Sequence, residues 1–85
     1  YAALVHMLAQ VSGLEAGELV HVIADAHIYD RHVPVVEELI SRAPYEAPRL
    51  WLDPQITDFY AFTKTSLKLE GYRFHTLDQP IPVAV

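Results

Sequence analysis

The stretch Glu18-Leu19-Val20-His21-Val22-Ile23-Ala24-Asp25-Ala26-His27-Ile28-Tyr29 carries the strongest periodic signal in the chain. Val20, Val22, Ala24, Ala26 and Ile28 fall on one side of a period of two. His21, Ile23, Asp25, His27 and Tyr29 fall on the other. Its β-branched residues favour a strand over a helix, so a long sheet strand is predicted here. On such a strand, alternate residues of one face lie about 6.6–6.8 Å apart. Asp25, His27 and Tyr29 then present an acceptor, an imidazole and a phenol side by side. Two of them can hold a single hydroxyl or a bridging water. A sugar hydroxyl both donates and accepts, which suits a His–Tyr pair. The plainer alternative is a strand whose polar side packs at an edge, with both rings satisfied by backbone groups.

Upstream, Tyr1 to Gln10, continuing through Val11 and Ser12, reads as a helix that is apolar almost all round. Ser12-Gly13 stops it, with Gly13 suited to a left-handed cap. A helix of this kind is expected to be buried in a body larger than 85 residues can build. The chain also starts at Tyr1 and has its one methionine at Met7, so residues upstream of Tyr1 are expected.

Downstream, Asp30 is a candidate N-cap and Pro34 fits a first turn. Val33, Val36, Leu39 and Ile40 form the predicted apolar stripe of an amphipathic helix. Glu37, Glu38, Ser41 and Arg42 are expected to face water, and the helix should end before Pro44. Leu50 and Leu52 alternate with Arg49, Trp51 and Asp53, a short strand. Asp53-Pro54 opens a turn, and Asp58 caps a helical turn through Phe62. Ser66 to Glu70 alternates again, with Leu67 and Leu69 inward. Trp51 and the cluster Phe59-Tyr60-Phe62 are assigned to the core, and Glu37-Glu38 to a solvated face. After Gly71-Tyr72 regular signals stop, and the chain ends in the uncharged run Pro80-Ile81-Pro82-Val83-Ala84-Val85. The pattern is a mixed α/β (α+β) class in one domain, 1–85, with no internal repeat.

Composition narrows the function. With eleven acidic and six basic residues the formal net charge is −5, which argues against neutralising a nucleic-acid backbone. Cysteine is absent, which removes disulfides, thiolate metal sites and thiol nucleophiles from these residues. The five histidines show no helical metal-ligand spacing, so no metal is expected. No apolar run is long enough to span a bilayer and no signal-peptide pattern is present, so a cytoplasmic protein without membrane contact is expected. The glycines are single and dispersed, so no phosphate-binding loop forms, and no serine sits in a nucleophile elbow. An apolar terminus has to dock somewhere; a mobile one could close over a ligand and pin itself by its carboxylate, and the plainer alternative is a tail packed permanently on its own subunit or frayed.

Taken in order, several segments resemble the C-terminal part of the thymidylate synthase family. They are Tyr1-Ala2, Leu14-Glu15-Ala16-Gly17-Glu18, Asp25-Ala26-His27-Ile28-Tyr29 with His32, Pro48-Arg49-Leu50, Asp58-Phe59, Leu69-Glu70-Gly71-Tyr72 and Pro82-Val83-Ala84-Val85. The resemblance implies the family's mixed α/β fold and a homodimer built through a sheet. It implies methylation of dUMP to dTMP, with 5,10-methylenetetrahydrofolate as carbon donor and reductant. By the same resemblance His27 and Tyr29 hold the 3′-hydroxyl of the nucleotide, Tyr29 also borders the folate, and Val83, Ala84 and Val85 close over the folate. The family's nucleophilic cysteine, phosphate-binding arginines and base-reading residues precede the matching region. No catalytic residue is therefore expected among these 85, and the piece alone is expected to be inactive. Ala24 replaces a common glycine, and Asp30-Arg31 replaces a frequent Ser-Asn. Two alternatives remain at this point: a non-catalytic dimerisation or assembly fragment, and a related pyrimidine-nucleotide hydroxymethylase.

Overall fold

A computed structural model describes residues 1–83. The chain divides into two units, one of residues 1–21 and 47–72, the other of 22–46 and 73–85.

In the first unit, helix α1 spans Ala2–Ser12 and closes on Gly13, whose φ of 67° lies in the left-handed region. The amides of Gly13 and Leu14 donate to the carbonyls of Gln10 and Ala9, satisfying the last turn. Within this chain no residue of α1 is buried. Leu8 is 48% exposed, and Val5, Met7, Ala9 and Val11 are only half-buried. The physical reason is the one that the all-round apolar pattern implies, namely that these 85 residues supply too few layers to cover it.

Strands β1 (Arg49–Leu52) and β2 (Leu67–Glu70) form an antiparallel ribbon with Leu50 opposite Leu69 and Leu52 opposite Leu67. Trp51 lies opposite Lys68, and the ammonium sits 5.1 Å from the ring centre, a cation–π contact set by register. Leu67 is half-buried, but Leu69 is 56% exposed, contrary to its expected inward position. A ribbon of two strands, with no third strand beside it among the described residues, leaves its open end uncovered.

The connection between the strands is built by polar side chains. Asp53 Oδ1 accepts from the Gln55 amide, and Asp58 Oδ1 accepts from the Tyr60 amide, capping the 3₁₀ turn Phe59–Ala61. Phe59 and Phe62 meet edge to face at 6.3 Å, whereas Tyr60 is 92% exposed and is not core. The Gln10 amide of α1 donates to the carbonyls of both Asp53 and Ile56 at 2.9 Å, fixing the helix to this turn. Ser66 is buried, and its Oγ accepts from the Thr63 amide at 3.0 Å. Ser66→Ala removes that acceptor and strands a backbone donor, so a loss of about 1–3 kcal/mol is expected. Thermal unfolding of the protein carrying this segment measures it, and an unchanged midpoint would remove the role.

The long strand predicted over Glu18–Tyr29 does not form; no residue of it belongs to a strand, and a turn at Ala24–Asp25 interrupts the alternation. A strand is completed by ladder hydrogen bonds, and no partner segment pairs with these residues among those described. All of residues 18–29 are exposed as a result.

The second unit continues with a 3₁₀ turn at Asp30–His32 that runs into helix α2, Val33–Ile40. Pro34 sits in the first turn, where its missing N–H costs nothing. Asp30 is inside the turn rather than its cap; Tyr29 holds that position without a side-chain bond. The predicted stripe is also revised. Val35 is the buried residue, Val36 is half-buried, and Val33, Leu39 and Ile40 are exposed at 42%, 45% and 77%.

Residues 73–83 account for the revision, because they fasten to a different side of α2. Arg42 Nη2 donates to Glu38 Oε1 and to the Thr76 carbonyl, and Gln79 donates to Glu38 Oε2 at 3.3 Å. Glu38 and Arg42, expected to face water, are thereby largely covered, with side chains 24% and 17% exposed. Tyr45 stacks on His75 at 4.6 Å while the Arg73 guanidinium lies 4.4 Å from the Tyr45 ring centre. Like the sequence reading, the structure has no regular element from Tyr72 to Val83.

Candidate functional site

Residues Asp25 to His32, in the second unit, place three aromatic rings in series. The His27 and Tyr29 rings meet edge to face, with centres 5.1 Å apart and planes at 82°. Tyr29 and His32 repeat the arrangement at 5.5 Å and 89°. Edge-to-face contact is a preferred geometry for such rings, so Tyr29 is held from both sides. Directly after Tyr29 the segment enters the 3₁₀ turn. There the His32 amide donates to the Tyr29 carbonyl at 2.8 Å.

The hydrogen bonds of the two imidazoles fix their donors. His27 Nδ1 is 2.9 Å from the Asp25 carbonyl oxygen, which can only accept, so Nδ1 carries the hydrogen. In the neutral ring, Nε2 then presents a lone pair. The Asp25 carboxylate is 3.8 Å from the same Nδ1, and its side chain is almost fully exposed. It is therefore the Asp25 backbone that orients His27. The backbone-satisfied alternative describes half of His27, one nitrogen being engaged, while Nε2 and the Tyr29 hydroxyl form no hydrogen bond among the described residues. Side-chain exposure of 53% for His27 and residue exposure of 51% for Tyr29 leave both accessible to a ligand.

On the third ring, His32 Nε2 donates to the Pro82 carbonyl at 2.7 Å. This bond joins residues 50 apart in sequence and was not legible from spacing. Val83, one residue further, is 80% exposed. The other tail residues named for folate closure, Ala84 and Val85, lie outside the described residues. Among the described residues no three His, Cys, Asp or Glu side chains are placed to hold a metal ion, and no helix is long and apolar enough to cross a membrane.

Comparison with known proteins gives these residues a context. The family model for thymidylate synthase matches residues 1–85. A thymidylate synthase of Clostridium beijerinckii is 49% identical over 77 residues, covering 88% of this chain and 29% of that protein. The solved structure of the thermostable thymidylate synthase A from Bacillus subtilis superposes with a TM-score of 0.89 at 41% identity, over 98% of this chain and 30% of that one. The chain thus spans under a third of the length of these relatives. At such identity over nearly all its residues, and with the mixed helix and sheet architecture shared, the chain belongs to the thymidylate synthase family.

Proposed function

We propose that this chain is the C-terminal segment of a thymidylate synthase, with residues 1–85 part of one catalytic domain. The full enzyme would convert dUMP to dTMP as a cytoplasmic homodimer. The observation that supports a nucleotide role for this segment is the accessible His27–Tyr29 pair, with one imidazole nitrogen already tied to the backbone.

The chemistry of that pair suits the 3′-hydroxyl of a deoxyribose. His27 Nε2 accepts a hydrogen bond from it, and the Tyr29 hydroxyl donates one to its oxygen. A hydroxyl anchored at both its donor and its acceptor is fixed in direction. The pyrimidine is then carried to a constant place for attack at C6 by a cysteine thiolate, a group absent from these 85 residues. 5,10-Methylenetetrahydrofolate supplies the one-carbon unit and the reducing equivalents when bound. Tyr29 would border it, and Val83, Ala84 and Val85 would close over it and exclude water. The exposed apolar residues Val20, Val22 and Ile28 support an assembly in which further protein covers them.

The test is product formation by a full-length enzyme carrying this segment, offered dUMP or dCMP with the folate. dTMP from dUMP is the expected outcome; hydroxymethylation of dCMP in its place would select the hydroxymethylase reading. Deleting Val85 should lower kcat or raise the folate KM by about tenfold or more, with the dUMP Kd within about twofold of wild type. If dUMP affinity fell as far as turnover, the tail would not be a closing element over the folate.

A further inference from the structure

The tail is attached to the nucleotide-contacting segment, and the attachment is regular. Thr76, Gln79 and Pro82, each three residues apart, are held in turn by Arg42, Glu38 and His32. As residues 76–82 advance, their anchors step back from Arg42, just past the end of α2, through Glu38 on the helix to His32 in its leading turn, so the segment runs antiparallel to them as a strap. The His32–Pro82 bond is the last of the three and the shortest to a carbonyl, at 2.7 Å. It sits one residue before Val83. Pro82 has no N–H, so its carbonyl is the one backbone group through which this residue can be held.

His32 is also the third ring of the series. Its edge contact with Tyr29 and its amide bond to the Tyr29 carbonyl join it to the residue assigned to the ribose hydroxyl. We propose that His32 is a positioning residue: its Nε2–H pins the strap at Pro82 and so links placement of the C-terminal tail to the His27–Tyr29 pair. It touches neither reacting group. Its effect is that a nucleotide ordering Tyr29 also orders His32, and with it the site from which the last residues extend. The pinning stands on the structure alone, whereas the link to a nucleotide rests on the function proposed above.

The experiment uses a full-length enzyme carrying this segment, and two variants, His32→Ala and His32→Gln. The glutamine amide keeps a donor but not the ring. Release of Val85 and Ala84 by carboxypeptidase A reads the tail directly and needs no substrate. Without the donor, release in His32→Ala should be about fivefold to tenfold faster than in wild type, with His32→Gln restoring most of the protection. Saturating dUMP should slow release in wild type and fail to do so in His32→Ala. In direct titration and steady-state kinetics the folate KM should rise in His32→Ala by a larger factor than the dUMP Kd, since dUMP binding loses only the coupling to the tail and the edge support of Tyr29.

Wild-type release rates in His32→Ala would overturn the pinning. Equal acceleration in both variants would overturn the hydrogen-bond role, since the glutamine retains a donor. A dUMP effect on release that persists in His32→Ala would overturn the link to the nucleotide. If wild-type enzyme does not bind dUMP at all, the proposed function and the nucleotide link fall together, and the release rates still decide the pinning.

Discussion

In a full-length enzyme carrying this segment, His27→Ala and Tyr29→Phe should each weaken dUMP binding by about 1–3 kcal/mol, a loss of about fivefold to 150-fold. The two changes act differently. Tyr29→Phe leaves the ring between His27 and His32 and removes only the hydroxyl, so the segment keeps its edge-to-face packing. His27→Ala removes both a ring and the acceptor that the Asp25 carbonyl orients. A ligand lacking the 3′-hydroxyl gives the matching half of a thermodynamic cycle. Wild type should bind 2′,3′-dideoxyuridine monophosphate more weakly than dUMP, and Tyr29→Phe should lose little further affinity for it. Isothermal titration with both nucleotides measures the four corners. Equal losses for the two nucleotides would mean that the tyrosine hydroxyl acts elsewhere. Wild-type affinity for dUMP in both variants would remove the pair from the site.

Local geometry was legible in the sequence wherever neighbouring residues set it. Gly13 ends α1, Pro34 falls in the first turn of α2, Asp58 caps its 3₁₀ turn, and the segments around Leu50 and Leu67 are strands. These depend on dihedral preference and on side chains reaching their own backbone, so a few adjacent residues suffice. Readings that needed a distant partner went differently. The alternation of Glu18–Tyr29 is real as a pattern, but pairing requires a second segment, and none pairs with it among the described residues. Periodicity alone points to one apolar stripe on α2, whereas residues 73–83 bind Glu38 and Arg42 and cover a different side. In the site, the His27–Tyr29 neighbourhood was visible because the two are close in sequence. The His32–Pro82 bond was not, because nothing in a histidine and a proline 50 residues apart signals that they meet.

The 85-residue chain expressed alone should neither unfold cooperatively nor form dTMP, and two separate features of the chain lead there. Among the described residues Val35 is the one buried apolar side chain, while Val20, Val22 and Ile40 are each exposed by 73% or more. Apolar burial contributes about 25 cal/mol per Å², and ordering the backbone costs about 1–2 kcal/mol per residue. With a single buried apolar side chain among the described residues there is no packed core, and a large part of the stability is expected to come from protein that covers the exposed apolar faces. Urea titration followed by far-ultraviolet circular dichroism should show a broad, shallow change, and the chain should bind an apolar dye such as ANS before any denaturant is added. A steep transition common to two probes would show that the piece carries its own stability. Turnover is a different matter, because it depends on chemistry rather than on packing. Adding covalently to C6 of a pyrimidine takes an activated nucleophile, and this chain has no cysteine to supply one. Folding the piece by concentration or stabilising osmolytes should therefore raise its structure without raising its activity. A chain that became active on folding would place the nucleophile within these 85 residues and overturn the division of labour proposed for it.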